Sequence, residues 1–135
     1  MIRKLLPSLV IGCLGPMALE PAPRPAMVFD VRRTPTVGEM IVSKASAKGV
    51  PPHLAAAVAW RESKFQIGAL HKNKNGTVDV GVFQLNSHYF PEAPRMSVEE
   101  NISAGIDFIG EKIKQCRTEA GPVIRFAFTH GRCPK

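Results

Sequence analysis

The chain has 135 residues, 44% of them hydrophobic and 21% charged, the composition of an ordinary globular protein rather than a disordered one, and a length that suits one domain with a real core rather than two. Its formal net charge is +7, and less than half of that surplus falls within the first 36 residues. A modest basic surplus favours anionic partners such as the bacterial cell wall; no arginine-rich stripe or nucleic-acid module is present, which argues against nucleic acid.

The amino end opens with the positive stretch Met1-Ile2-Arg3-Lys4, followed by a mostly apolar run from Leu5 to Leu19 broken by Pro7 and Pro16. A membrane span needs about 20 consecutive apolar residues, so residues 1–19 read instead as a signal peptide or membrane-anchor segment. Ala18 and Ala22 are candidate cleavage positions. Val10-Ile11-Gly12-Cys13 has the look of a lipobox, leaving Cys13 with two readings, a lipid attachment site or part of a discarded leader. Pro21, Pro23, Pro25 and Pro35 mark residues 20–36 as an extended linker,. The folded domain is expected over residues 37–135.

Thr36 and Glu39 form a T-x-x-E capping box that predicts a helix with Val37, Met40, Ile41 and Ala45 on one face. Gly49 ends it, and Pro51-Pro52 opens the next, where proline is tolerated in the first turn. This second run, from Pro52 to Phe65, places Leu54, Val58, Glu62 and Phe65 at spacings of four, four and three, hence on one face,. A carboxylate on an apolar stripe is costly unless paired or protonated. Desolvation raises a carboxyl pKa, and an acid that keeps its proton near neutral pH can act as a general acid. The competing reading is a helix-end glutamate whose stem packs while its head stays wet.

Beyond it, residues 66–80 read as a polar loop with a short hairpin at Asn75-Gly76, and Gly81 to Ser87 as a short apolar helix beneath the site. Strand signals are weak. Ser97 and Glu100 make a second capping box, opening a long helix with Ile102, Ile106, Ile109 and Ile113 on the core side. Gly121-Pro122 restarts the chain into a final helix carrying Val123, Ile124, Ala127 and Phe128. Cys116 and Cys133 would meet an oxidising compartment if the protein is exported, which favours a disulfide over two free thiols. A loop of that size contributes about 3 kcal/mol in the chain-entropy model.

Three ordered segments then point to a family: Glu62-Ser63-Lys64-Phe65, Asn73-Lys74-Asn75-Gly76-Thr77-Val78-Asp79 and Gly81-Val82-Phe83-Gln84-Leu85-Asn86-Ser87. With the approach Ala45-Ser46-Ala47-Lys48-Gly49-Val50-Pro51-Pro52, this set resembles the lysozyme-like superfamily. It is most similar to the small specialised lytic transglycosylases that accompany type III and type IV secretion and conjugation machines. The resemblance runs from about Thr36 to Arg132. It implies a mostly α, single lysozyme-like (SLT) domain with a short hairpin or loop beside the cleft. It also implies action on peptidoglycan glycan strands, with components of a trans-envelope complex as further partners; the amino-terminal segment, with Cys13 as a candidate lipid site, adds the expectation of a periplasmic protein that meets membrane only through that segment.

Cleaving a glycosidic bond requires a proton for the leaving oxygen and charge stabilisation at the ring carbon. Glu62 is the candidate for the proton. The resemblance implies that the same group then takes the proton of the muramic acid 6-hydroxyl, giving a 1,6-anhydro product. Asp79 either supports the chemistry, as the second carboxylate of animal lysozymes does in a hydrolytic reaction, or anchors the hairpin beside Thr77. Gln84 and Asn86 are candidates for sugar contacts or for bracing the loop; Ser63, Phe83, Phe128 and Thr129 complete the substrate-binding set. Where the family commonly has Ala-Tyr-Asn-x-Gly, this chain reads Ala127-Phe128-Thr129-His130-Gly131, so a tyrosine hydroxyl is lost or its role passes to Thr129 or His130. His53, His71, His88 and His130 are scattered without ligand spacing, so neither a metal nor another cofactor is expected. The readings that stand are a lytic transglycosylase, a hydrolytic muramidase using Glu62 and Asp79, and a weakly active wall-binding component of an assembly.

Overall fold

The computed structural model describes residues 33–135. The leader, its Cys13 and all but the last few linker residues lie outside that range. Four helices and one small sheet make up the described part, which is the mostly helical, lysozyme-like architecture expected.

Helix α1 spans Val37–Ala47. Its capping box is complete: the Thr36 hydroxyl accepts the Glu39 N–H at 3.2 Å, and the Glu39 carboxylate accepts the Thr36 N–H at 2.7 Å. Donation to its carboxylate by the Thr36 N–H, the Thr36 hydroxyl and Arg33 lowers the Glu39 carboxyl pKa to about 2,. Ile41 and Ala45 are fully buried. Gly49, at φ 68°, turns the chain in the left-handed region, where a side chain is disfavoured,. Helix α2 follows as Pro52–Ser63. It buries Leu54, Ala55, Val58 and Ala59 against α1, and ends on two successive left-handed residues, Lys64 and Phe65, at φ 56° and 65°. Helix α3 spans Val98–Cys116 behind the Ser97–Glu100 capping box, and α4 spans Gly121–His130. Ile102, Ile106 and Ile109 of α3 are wholly excluded from solvent, as the stripe requires,.

Between α2 and α3 runs an antiparallel sheet in the order β1 (Leu70–Lys72), β2 (Val78–Val80), β3 (Leu85–Asn86). Asn75-Gly76 does turn a hairpin, with Gly76 at φ 83°. Register places Asp79 opposite His71 on one side and Asn86 on the other, so this row shares one face of the sheet,.

The apolar helix expected over Gly81 to Ser87 is not formed. Gly81 to Gln84 is instead a tight turn, closed by the Gln84 N–H on the Gly81 carbonyl at 3.1 Å, and it delivers the chain into β3. Gly81 at φ 78° and Gln84 at φ 47° are incompatible with a helix,. A buried side chain from α3 fixes the turn: Asn101 Oδ1 accepts the Phe83 N–H at 3.1 Å and its Nδ2 donates to the Val80 carbonyl at 3.0 Å. A Cβ on Gly81 would lie 2.6 Å from that amide, so glycine is needed for space as well as conformation. Val82, Phe83 and Leu85 are buried by this tertiary anchoring rather than by helical periodicity.

Cys116 and Cys133 are joined, with Cα atoms 5.5 Å apart across a separation of 17 residues. The bridge ties the end of α3 to the chain just beyond α4.

Candidate active site

Glu62 sits in the last turn of α2, at the point where the buried Leu54–Val58 face opens onto a cleft of about 510 Å³. It is half-buried. Burial pushes its carboxyl above the ordinary value, the negative charge of Asp79 adds to that, and Arg61 opposes it,. The negative end of the helix dipole works in the same direction as burial. The group is therefore biased toward keeping a proton that it can give away.

The turn that follows keeps it there. Ser63 is buried, and its hydroxyl donates to the Val82 carbonyl at 2.7 Å, joining the end of α2 to the Gly81 turn. That bond braces the two left-handed residues beside it, a strain of the kind that persists only when the surroundings over-determine it. Ser63 faces the core and not the cleft, so its reading as a sugar contact is replaced by a structural one. Phe83 is likewise corrected. It is fully buried against Gly105, where a Cβ would lie 2.3 Å from the ring, and it packs at 6.1 Å from the Phe128 ring.

Asp79 enters the cleft from the middle strand, clamped between two amides. Asn86 Nδ2 donates to its Oδ1 at 2.6 Å and Asn73 Nδ2 to its Oδ2 at 3.0 Å. Each of those amides also reaches the Thr77 hydroxyl at 3.1 Å, and that hydroxyl donates to Asn75 Oδ1 at 2.8 Å. Asp79 thus anchors the hairpin and faces Glu62 across the cleft at once; the two readings are not exclusive. Gln84 also lines the cleft, but its amide nitrogen donates to the Ala69 and Gly81 carbonyls at 3.1 and 2.9 Å, leaving the side-chain oxygen for a ligand.

The opposite wall is aromatic. Phe128 reaches the cleft edge-on to Phe108, centroids 5.3 Å apart, and Phe90 packs behind Phe108 at 5.6 Å. Thr129 and His130, the two neighbours to which the tyrosine's role could pass, both line the cleft. Thr129 lines the cleft but donates its hydroxyl to the Arg125 carbonyl at 3.1 Å, and the His130 ring stacks on Phe126 with Nδ1 3.0 Å from the Phe126 carbonyl. Beyond Glu62 a second hollow of about 440 Å³ opens toward Arg61 and Arg125, and Glu62, Thr129 and His130 line both. Glu62 therefore stands on the divide between two recesses.

Asn73, Tyr89, Phe108, Asn101 and Lys112 also build the site, the second of them exposed and the fourth bracing the Gly81 turn, and none is a candidate in the motifs above. The last three had a signal: Asn101, Gly105, Phe108 and Lys112 recur at four, three and four, a second stripe beside the isoleucines,. No group of three or more His, Cys, Asp or Glu side chains suited to a metal occurs among the described residues.

Comparison with known proteins agrees with this geometry. The sequence model of the family described as Transglycosylase SLT domain matches residues 39–127. Lysozyme-like protein 6 of Homo sapiens is 48% identical over 33 residues, which is 24% of this chain. The match spans 22% of the length of that relative.

Proposed function

The chain belongs to the transglycosylase SLT family, a peptidoglycan-acting branch of the lysozyme-like superfamily, and from that premise we propose that it is a lytic transglycosylase that opens the bond between N-acetylmuramic acid and N-acetylglucosamine. The observation that carries this reading is Glu62: a half-buried carboxyl in a cleft, its pKa raised by burial and by Asp79. In this reading the protonated Glu62 gives its proton to the bridging oxygen as the bond from that oxygen to the muramic acid C1 breaks. Positive charge gathers on the ring, within the field of the clamped Asp79 carboxylate. Glu62, now a carboxylate in the right place, accepts the proton of the 6-hydroxyl on the same sugar, whose oxygen closes on C1. The acid is regenerated and no water is consumed.

Asp79 favours one rival, a hydrolytic muramidase in which water attacks C1 and the product keeps a reducing end. Mass spectrometry of digested sacculi separates them. Anhydro-muramic ends support the transglycosylase; reducing muramic ends alone support the hydrolase. A weakly active wall-binding component is the third reading, and it predicts sacculus binding with little of either product.

The Cys116–Cys133 bridge supports export to an oxidising compartment, and hence a periplasmic site of action with residues 1–19 as leader or anchor and residues 20–36 as tether,. Anchoring through a lipid on Cys13 belongs to the same proposal, as does service to a type III or type IV secretion or conjugation apparatus. Cell fractionation with and without Cys13→Ser tests the first, and cross-linking in cells that express such an apparatus tests the second.

A further inference from the structure

Lys112 is a charged side chain in an unusual place. It projects from α3 into the wall of the cleft and is only 8% exposed, among Phe108, Phe128 and Gly131. Its ammonium donates to the Gly131 carbonyl at 2.9 Å and to Gln115 Oε1 at 3.0 Å, and lies 4.6 Å from the centre of the Phe108 ring. None of the ion pairs among the described residues includes it. A buried charge without an opposite charge is costly, and an apolar side chain would complete this aromatic wall at less expense. An ammonium has three protons to donate, and two are engaged.

The substrate of the proposed reaction is chemically asymmetric. N-Acetylglucosamine is neutral, whereas each muramic acid residue bears a lactyl group that is a free carboxylate or carries a peptide with carboxylates of its own. We propose that Lys112 is a carboxylate-binding residue of the cleft, directing its third proton to the acidic appendage of a muramic acid residue and so setting which of the two sugars occupies that part of the site. The proposal rests on the peptidoglycan reading of the cleft. It adds a specificity determinant on the wall made by α3 and α4, apart from Glu62 and Asp79.

The test uses the full chain carrying Glu62→Gln, so that ligands are held and not cut. Calorimetry compares three ligands: chitohexaose, peptide-free glucosaminyl-muramyl oligomers with free lactyl carboxylates, and the same oligomers bearing peptides. Adding Lys112→Met, which keeps the length of the stem, is expected to weaken one or both muramyl ligands about tenfold or more, as loss of a charge-assisted hydrogen bond does. Chitohexaose should change less than twofold, and Lys112→Arg should retain the muramyl preference. The muramyl ligand that loses affinity identifies the carboxylate, lactyl or peptide. Equal weakening of all three ligands, or no change in any, overturns the role of Lys112 while leaving the glycan reading intact. Failure of the Glu62→Gln chain itself to hold any of them overturns both. If Lys112→Met does not fold, the Lys112-containing chain is tested against muramyl ligands with amidated carboxylates. An affinity unchanged by amidation overturns the proposal, and a loss of about tenfold upholds it.

Discussion

Asp79 and Asn86 face each other across β2 and β3, and the Asn86 amide holds the Asp79 carboxylate at 2.6 Å. With Asn73 on the other oxygen, the carboxylate is fixed in position, and its charge is one of the causes that raise the Glu62 carboxyl. An anion held in this way should govern the acid more than it reacts.

Asp79→Asn removes one of the influences that raise the Glu62 pKa, while burial remains. A general acid loses activity as pH rises through its pKa, so lowering that pKa should move the alkaline limb of the pH–rate profile to lower pH. Turbidity loss of sacculi measured from pH 4 to pH 9 checks this. An alkaline limb that stays in place would show that Asp79 does not act on Glu62.

The raised pKa is also a statement about stability. The folded state holds the Glu62 proton more tightly than the unfolded chain, so stability falls as pH rises from the ordinary value of 4.5 through the raised folded value,. Glu62→Gln carries no such cost. Its melting temperature should match that of the parent near pH 3.5 and exceed it at pH 7, by calorimetric scans. Identical melting temperatures at both values would mean that Glu62 is no more burdened in the fold than out of it.

Ser63 tests whether the strained end of α2 is held as described. Ser63→Ala leaves the buried Val82 carbonyl without its 2.7 Å partner and should cost about 1–3 kcal/mol in urea unfolding. The folded variant should keep its substrate affinity. A large loss of affinity at unchanged stability would make Ser63 a sugar contact instead.

Helices, their caps and the position of Glu62 were legible because each rests on local rules: Thr36 with Glu39, Ser97 with Glu100, and the isoleucine stripe of α3 are spacings within one or two turns. The Gly81 turn was not legible for the opposite reason. Val82, Phe83 and Leu85 look like a helix face in isolation, and what forbids the helix is Asn101, brought in from α3 by the fold. The same distance effect misplaced Ser63 and Phe83, whose side chains turn to the core because the turn packs there. Lys112 was hidden by the bland expectation that a lysine on an amphipathic helix is solvated. Gln84 and Asn86 could be found by motif, but their division into brace and clamp depended on which carbonyl or carboxylate each amide met.

The Cys116–Cys133 bridge closes the chain behind α4, where Gly131 meets Lys112. Replacing both cysteines by serine should lower stability by about 3 kcal/mol, a fall of roughly 10–20 °C in melting temperature for a domain of this size. Thermal scans with and without reductant measure it. A parent protein indifferent to reductant would show that the bridge contributes nothing in solution.

Cleavage depends on the proton carried by Glu62, and this is read most directly from the initial rate of anhydro-muropeptide release from purified sacculi by the parent protein and by Glu62→Gln, at matched folded concentration. The rate should be lower by about 10²–10⁴-fold in the variant, with sacculus binding retained. Release within a few-fold of the parent would contradict it, because the bond would then be cleaved without that acid.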